Sequence, residues 1–140
     1  MVSDCIARRV LVVDDDPLVG KSIATSLRQE GFEVTVADGC ESGAHALQSA
    51  TFDLMLIDIF MPRMRGFEPI RIFHQLAPAT PLIAISAYSF AALEVPASDF
   101  HQMAFEFGAA RCLRKPFTFE VLLTNVRECL AESARIADTS

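Results

Sequence analysis

Residues 11–17 read Leu-Val-Val-Asp-Asp-Asp-Pro, and this stretch decides the fold. With Val10 it starts as a continuous apolar run, which suits a strand buried on both faces. Three aspartates end the run. Pro17 suits the first turn of a helix, where its missing N–H costs nothing. Val19, Ile23 and Leu27 then recur every fourth residue and mark one helix face. Gly31 is the expected stop. The stretch therefore reads as buried strand, acidic loop, helix.

The same unit recurs along the chain. Glu33–Ala37 reads as a second strand, and Glu41–Ala50 as a short helix with Ala44 and Leu47 inward. Leu54–Ile57 is an apolar strand ending in Asp58, followed by a loop, Ile59–Gly66, with Pro62 and Gly66. Phe67–Ala77 reads as a helix with Pro69 in its first turn and Ile70, Phe73 and Leu76 facing the core. Pro81–Ser86 is the fourth strand. Ser98 or Asp99 is the expected cap of a helix running to Phe107 and closed by Gly108. Arg111–Arg114 is the fifth strand. Thr118 caps a last helix that buries Leu122, Leu123, Val126 and Leu130. Ser133–Ser140 is expected to fray. Apolar strands separated by helices mean an α/β fold, a parallel sheet covered on both faces.

At 140 residues the chain has room for one domain. Its 51% hydrophobic content is enough for a core and excludes a disordered tail. Eighteen acidic against twelve basic residues give a net charge of -6. That balance argues against direct binding of nucleic acid by phosphate neutralisation. No apolar run approaches the roughly 20 residues of a membrane-crossing helix, and Arg8 and Arg9 interrupt any leader-like start. The expectation is a cytoplasmic protein without membrane insertion. Cys5, Cys40, Cys112 and Cys129 are scattered, with no metal spacing, and read as reduced thiols. His45, His74 and His101 sit singly in helical patterns.

Ligand chemistry in such sheets gathers at the carboxyl ends of the strands. Strand one ends in Asp14, Asp15 and Asp16, strand three in Asp58 and strand four in Ser86; Lys115 and Pro116 follow strand five. Converging carboxylates repel one another, and a divalent cation relieves that repulsion. Oxygen donors without His or Cys suit Mg²⁺. Mg²⁺, a lysine and a hydroxyl together make a phosphoryl site. No Gly-rich phosphate loop is present, so no bound nucleotide is implied.

The stretches LVVDDDP (11–17), LMLIDIFMPRMRG (54–66), LIAISA (82–87) and LRKPF (113–117) together resemble the receiver domain of bacterial two-component response regulators. The resemblance covers residues 8–131, leaving 1–7 as an N-terminal extension and 132–140 as a C-terminal tail. It implies a flavodoxin-like (βα)5 doubly wound, five-stranded parallel sheet of strand order 2-1-3-4-5; a chemotaxis receiver is a stock example of that order. It implies Asp58 as phosphoacceptor. Asp14, Asp15, Asp58 and the backbone carbonyl of Phe60 become the Mg²⁺ ligands. Ser86 and Lys115 become the phosphoryl-binding switch pair, and the Lys115–Pro116 bond is expected to be cis. The donor is a histidine kinase or histidine phosphotransfer protein. The chain is then a signalling phosphoacceptor rather than an enzyme, beyond catalysing its own phosphorylation and dephosphorylation. With no output segment after the last helix, a stand-alone regulator or relay intermediate is expected unless the chain is part of a longer protein.

Three positions depart from the pattern. Cys112 stands where relatives carry an aromatic switch residue. The Ser86–Lys115 spacing is longer than usual, with the extra length placed at Ser89–Ser98. Arg65 replaces an acidic residue before the loop glycine. Phe60 and Tyr88 flank the site. Phe90, Leu93, Phe100 and Phe105 offer an apolar patch for a homodimer or a partner. Two alternatives follow: a pseudo-receiver that binds proteins without phosphorylation, and a phosphohydrolase of the haloacid dehalogenase type using Asp14 and Asp16.

Overall fold

A computed structural model of the protein describes residues 7–59, 67–86 and 97–139, with 97–101 and 135–139 as backbone only. Five strands, β1 (Arg9–Val13), β2 (Glu33–Ala37), β3 (Leu54–Asp58), β4 (Leu82–Ser86) and β5 (Arg111–Arg114), form one sheet. Every pairing is parallel and the order is β2-β1-β3-β4-β5. The helices between and after them are α1 (Pro17–Gln29), α2 (Cys40–Ser49), α3 (Glu68–Leu76), α4 (Ala97–Phe107) and α5 (Phe119–Thr139). The chain steps from β1 outward to β2, then back across to β3, so the switch point lies between β1 and β3.

Side chains alternate across a strand, and this splits the core in two. Leu11, Val13, Met55, Ile57, Leu82 and Ala84 face Ile70 and Phe73 of α3 and Ala104 of α4. Val10, Val12, Leu54, Leu56, Ile83 and Ile85 face Ile23 and Leu27 of α1 and Leu122, Val126 and Leu130 of α5. The central strands β3 and β4 are buried along their whole length, as their unbroken apolar runs require. Gly31 and Gly108 follow α1 and α4 with φ of 95° and 121°, a conformation that favours glycine.

Several expected contacts fall differently. In α2 the buried residue is Gly43, with Ala46 and Leu47 packed beside the core, and not Ala44. A Cβ on Gly43 would meet Phe73 Cζ at 2.7 Å, so the aromatic ring occupies the space a side chain would need. Leu76, expected in the core, is 47% exposed; α3 ends there and Ile70 and Phe73 already fill its face. α4 begins at Ala97, so Ser98 and Asp99 lie in its first turn rather than ahead of it. The segment expected to fray from Ser133 is helical to Thr139, with no Gly or Pro to stop it. Thr118 does cap α5, accepting the Val121 N–H at 3.2 Å. Cys40, Cys112 and Cys129 are free thiols; Cys5 lies outside the described residues. Among the described residues, no helix is long and apolar enough to cross a membrane.

Candidate functional site

The strand ends bring the polar residues to one edge. The Asp14 N–H donates to the Ala37 carbonyl at 3.1 Å, carrying the β1–β2 pairing one residue past β1. Asp58 is the last residue of β3 and pairs with Ile85. Ser86 ends β4, and the Lys115 N–H donates to its carbonyl at 2.7 Å. Asp14 and Asp58 therefore stand on either side of the switch point, with Ser86 at the end of β4 and Lys115 just past β5.

Asp14, Asp58 and Ser86 are buried, with 2%, 3% and 0% of their surface exposed. Asp15 stands at the solvent edge. Carboxylate oxygens of Asp14, Asp15 and Asp58 all lie within 4.8 Å of one another. Lys115 Nζ lies 3.1 Å from Asp14 Oδ2 and 4.0 Å from Asp58 Oδ2. The other oxygen of Asp14 accepts the Asp16 N–H at 2.9 Å. The Lys115–Pro116 bond is cis. Among the described residues, one ammonium faces three carboxylates, two of them in surroundings where repulsion is weakly screened. The donors are all oxygen, which matches a small hard dication such as Mg²⁺.

Cys112 pairs with Ala84 in the β4–β5 register and packs against the core on the α3–α4 side. Burial pushes its thiol up to about 11. Beside Lys115 a groove of about 380 Å³ opens, lined by Leu18, Val19, Ser22, Ile23, Pro116 and Phe117. Phe60, Tyr88, Phe90, Leu93, Arg65 and most of Ser89–Ser98 lie outside the described residues. Phe105, from the expected apolar patch, is 51% exposed. Asp16, one of the three aspartates at the end of strand one, does not join the converging carboxylates. Its side chain instead caps α1, accepting the Leu18 N–H at 3.0 Å. The signal was available: an aspartate immediately before a proline at a helix start.

Comparison with known proteins decides the family. The model of the response regulator receiver domain matches residues 10–127. The chain belongs to this family. The probable transcriptional regulatory protein SilR of Salmonella typhimurium is 31% identical over 122 residues, covering 87% of this chain and 50% of that protein. The transcriptional regulatory protein CusR of Escherichia coli K12 is 28% identical over 128 residues, 91% of this chain and 53% of its own length. The chain thus spans about half the length of these curated relatives. A CheY-like receiver domain protein from Methanospirillum hungatei superposes with a TM-score of 0.81 at 28% identity, covering 93% of this chain and 98% of that one. The five-stranded receiver fold is the fold of that structure, and the protein is a receiver of the two-component type.

Proposed function

We propose that this receiver takes a phosphoryl group from a phosphohistidine onto Asp58 and signals through altered protein docking. The observation that carries the reading is the buried Asp58 carboxylate, ringed by Asp14, Asp15 and Lys115 at the switch point. Asp58 attacks phosphorus in line; the phosphorus–nitrogen bond to the donor imidazole breaks and an acyl phosphate forms. Lys115 neutralises the incoming phosphoryl oxygens and Ser86 donates its hydroxyl hydrogen to one of them. Asp14, Asp15, Asp58 and the Phe60 carbonyl are the groups that would hold Mg²⁺, which when bound offsets charge on the transferring group. Water later hydrolyses the acyl phosphate, so the chain promotes only its own phosphorylation and dephosphorylation. The added charge draws Ser86 and Lys115 inward and shifts an existing equilibrium. With Cys112 in place of an aromatic residue, that shift does not run through a turning ring at this position.

The donor is a histidine kinase or histidine phosphotransfer protein in the cytoplasm, and the apolar groove beside Lys115 gives a partner a surface to bury. Residues 8–131 act as the receiver, either alone or within a longer regulator. The relatives are named as transcriptional regulators, yet a domain of net charge -6 is not itself the DNA-contacting part. The receiver reading is favoured over a phosphohydrolase because the carboxylates that converge are Asp14, Asp15 and Asp58, without Asp16.

The test is intact-protein mass after incubation with acetyl phosphate, with and without Mg²⁺, on wild type and Asp58→Asn. A single phosphoryl adduct that needs both Mg²⁺ and Asp58 is expected. An adduct that persists in Asp58→Asn would overturn the assignment of the acceptor. No adduct and no beryllofluoride binding would leave the pseudo-receiver reading standing.

A further inference from the structure

We infer that Asp16 is a positioning residue for the acidic pair: its cap on α1 holds the turn that aims Asp14. The inference rests on the metal reading proposed above. Asp14 divides its two oxygens between separate tasks. Oδ1 is tied to the chain by the Asp16 N–H at 2.9 Å, and Oδ2 faces Lys115 Nζ at 3.1 Å. What fixes the Asp16 backbone therefore fixes the Asp14 carboxylate.

Two bonds fix that backbone. The Asp16 side chain accepts the Leu18 N–H at 3.0 Å, and its carbonyl accepts the Gly20 N–H at 3.0 Å. Pro17 has no N–H to offer, so Leu18 carries the first free donor of the helix. The first turn of α1 also lies against the site: a Cβ on Gly20 would stand 3.9 Å from Asp14 Cβ and 3.1 Å from Val36 Cγ1. A frayed first turn would release Asp14 on two sides at once. Asp16 itself is exposed and does not join the three carboxylates that converge, so it acts through Asp14 rather than as a ligand.

Charge is the competing explanation, since a fourth carboxylate nearby would also raise cation affinity. Asparagine and glutamine separate the two. Both remove the charge, but only asparagine is short enough to cap. Binding of Mn²⁺, as a spectroscopic stand-in for Mg²⁺, is measured by electron paramagnetic resonance on wild type, Asp16→Asn, Asp16→Gln and Thr118→Val. Thr118→Val removes the equivalent cap from α5 and controls for general loosening. Asp16→Asn is expected within about twofold of wild type, and Asp16→Gln about fivefold weaker, the equivalent of one lost cap. Thr118→Val should bind as wild type does. Equal affinities for Asp16→Asn and Asp16→Gln, or an equal loss in Thr118→Val, would overturn the inference while leaving the metal site intact. Failure of wild type to bind Mn²⁺ would remove the metal reading and this inference together.

Discussion

The two ends of the sheet use their polar groups in opposite ways. At the amino edge the polar groups find complementary partners: Arg111, which opens β5, is matched by Glu128 at 2.9 Å and Glu132 at 2.8 Å. Asp53 Oδ2 accepts the Arg9 N–H at 2.8 Å, Thr80 donates to the Phe52 carbonyl at 3.3 Å, and the Arg9 guanidinium lies over the Phe52 ring at 5.4 Å. At the carboxyl edge two carboxylates are buried, a third stands beside them, and Lys115 is drawn toward both buried ones. The first arrangement stabilises the fold. The second holds like charges together, an arrangement that a bound cation would relieve.

The largest test of that contrast removes the Lys115 ammonium. Lys115→Ala leaves Asp14 buried without its partner. A fully buried pair broken this way loses ~3–5 kcal/mol. Lys115 keeps 19% of its side chain exposed, so water softens the loss. We expect the metal-free variant to lose about 2 kcal/mol in urea unfolding. Added Mg²⁺ should recover more stability in this variant than in wild type, because the cation then supplies the missing positive charge. An unchanged urea midpoint would mean that Asp14 is solvated and that the edge is not under electrostatic load.

The next test compares one substitution from each end. Asp58→Asn removes repulsion with Asp14 and Asp15, and should raise metal-free stability by about 1 kcal/mol. Asp53→Ala orphans the Arg9 N–H, and should lower it by about 1 kcal/mol. Opposite signs in chelator-treated urea titrations sustain the contrast. A loss in both would show that Asp58 is as structural as Asp53.

The same contrast explains what was legible in the sequence. Strands announce themselves through continuous apolar runs, so β1 to β5 were readable to within a residue or so. Their ends followed, and with them Asp14, Asp58, Ser86 and Lys115. Strand order came from the resemblance, since periodicity does not say that β2 lies outside β1. Helix faces were less legible. Gly43 reads as a weak helix former, and nothing local reveals that the Phe73 ring needs its missing side chain. Leu76 fits the helical period but sits where α3 runs out of core to cover. The pattern ends α5 where its core contacts end, although a helix free of Gly and Pro can continue beyond them. Asp16 reads as one more carboxylate at a strand end, yet its place just before Pro17 also marks it as the cap of α1.

The smallest effect concerns Cys112, which lies on β5 opposite Ala84, between the two ends. Burial raises its thiol from the ordinary cysteine value to about 11. The folded state therefore favours the neutral thiol more than the unfolded chain does. The resulting stability is fully present below the unfolded cysteine value of roughly 8.5, and is lost as pH rises through about 11. At neutral pH it makes no difference to the slope of stability with pH. Between pH 9 and about 11 the wild-type urea midpoint should fall more steeply than that of Cys112→Ala. Cys40 and Cys129 are also raised by burial, so the difference between the two curves, and not the wild-type curve alone, isolates position 112. Parallel curves would show that water reaches the thiol in the folded protein, and that the seam between β5 and the α3–α4 layer is more open than its packing indicates.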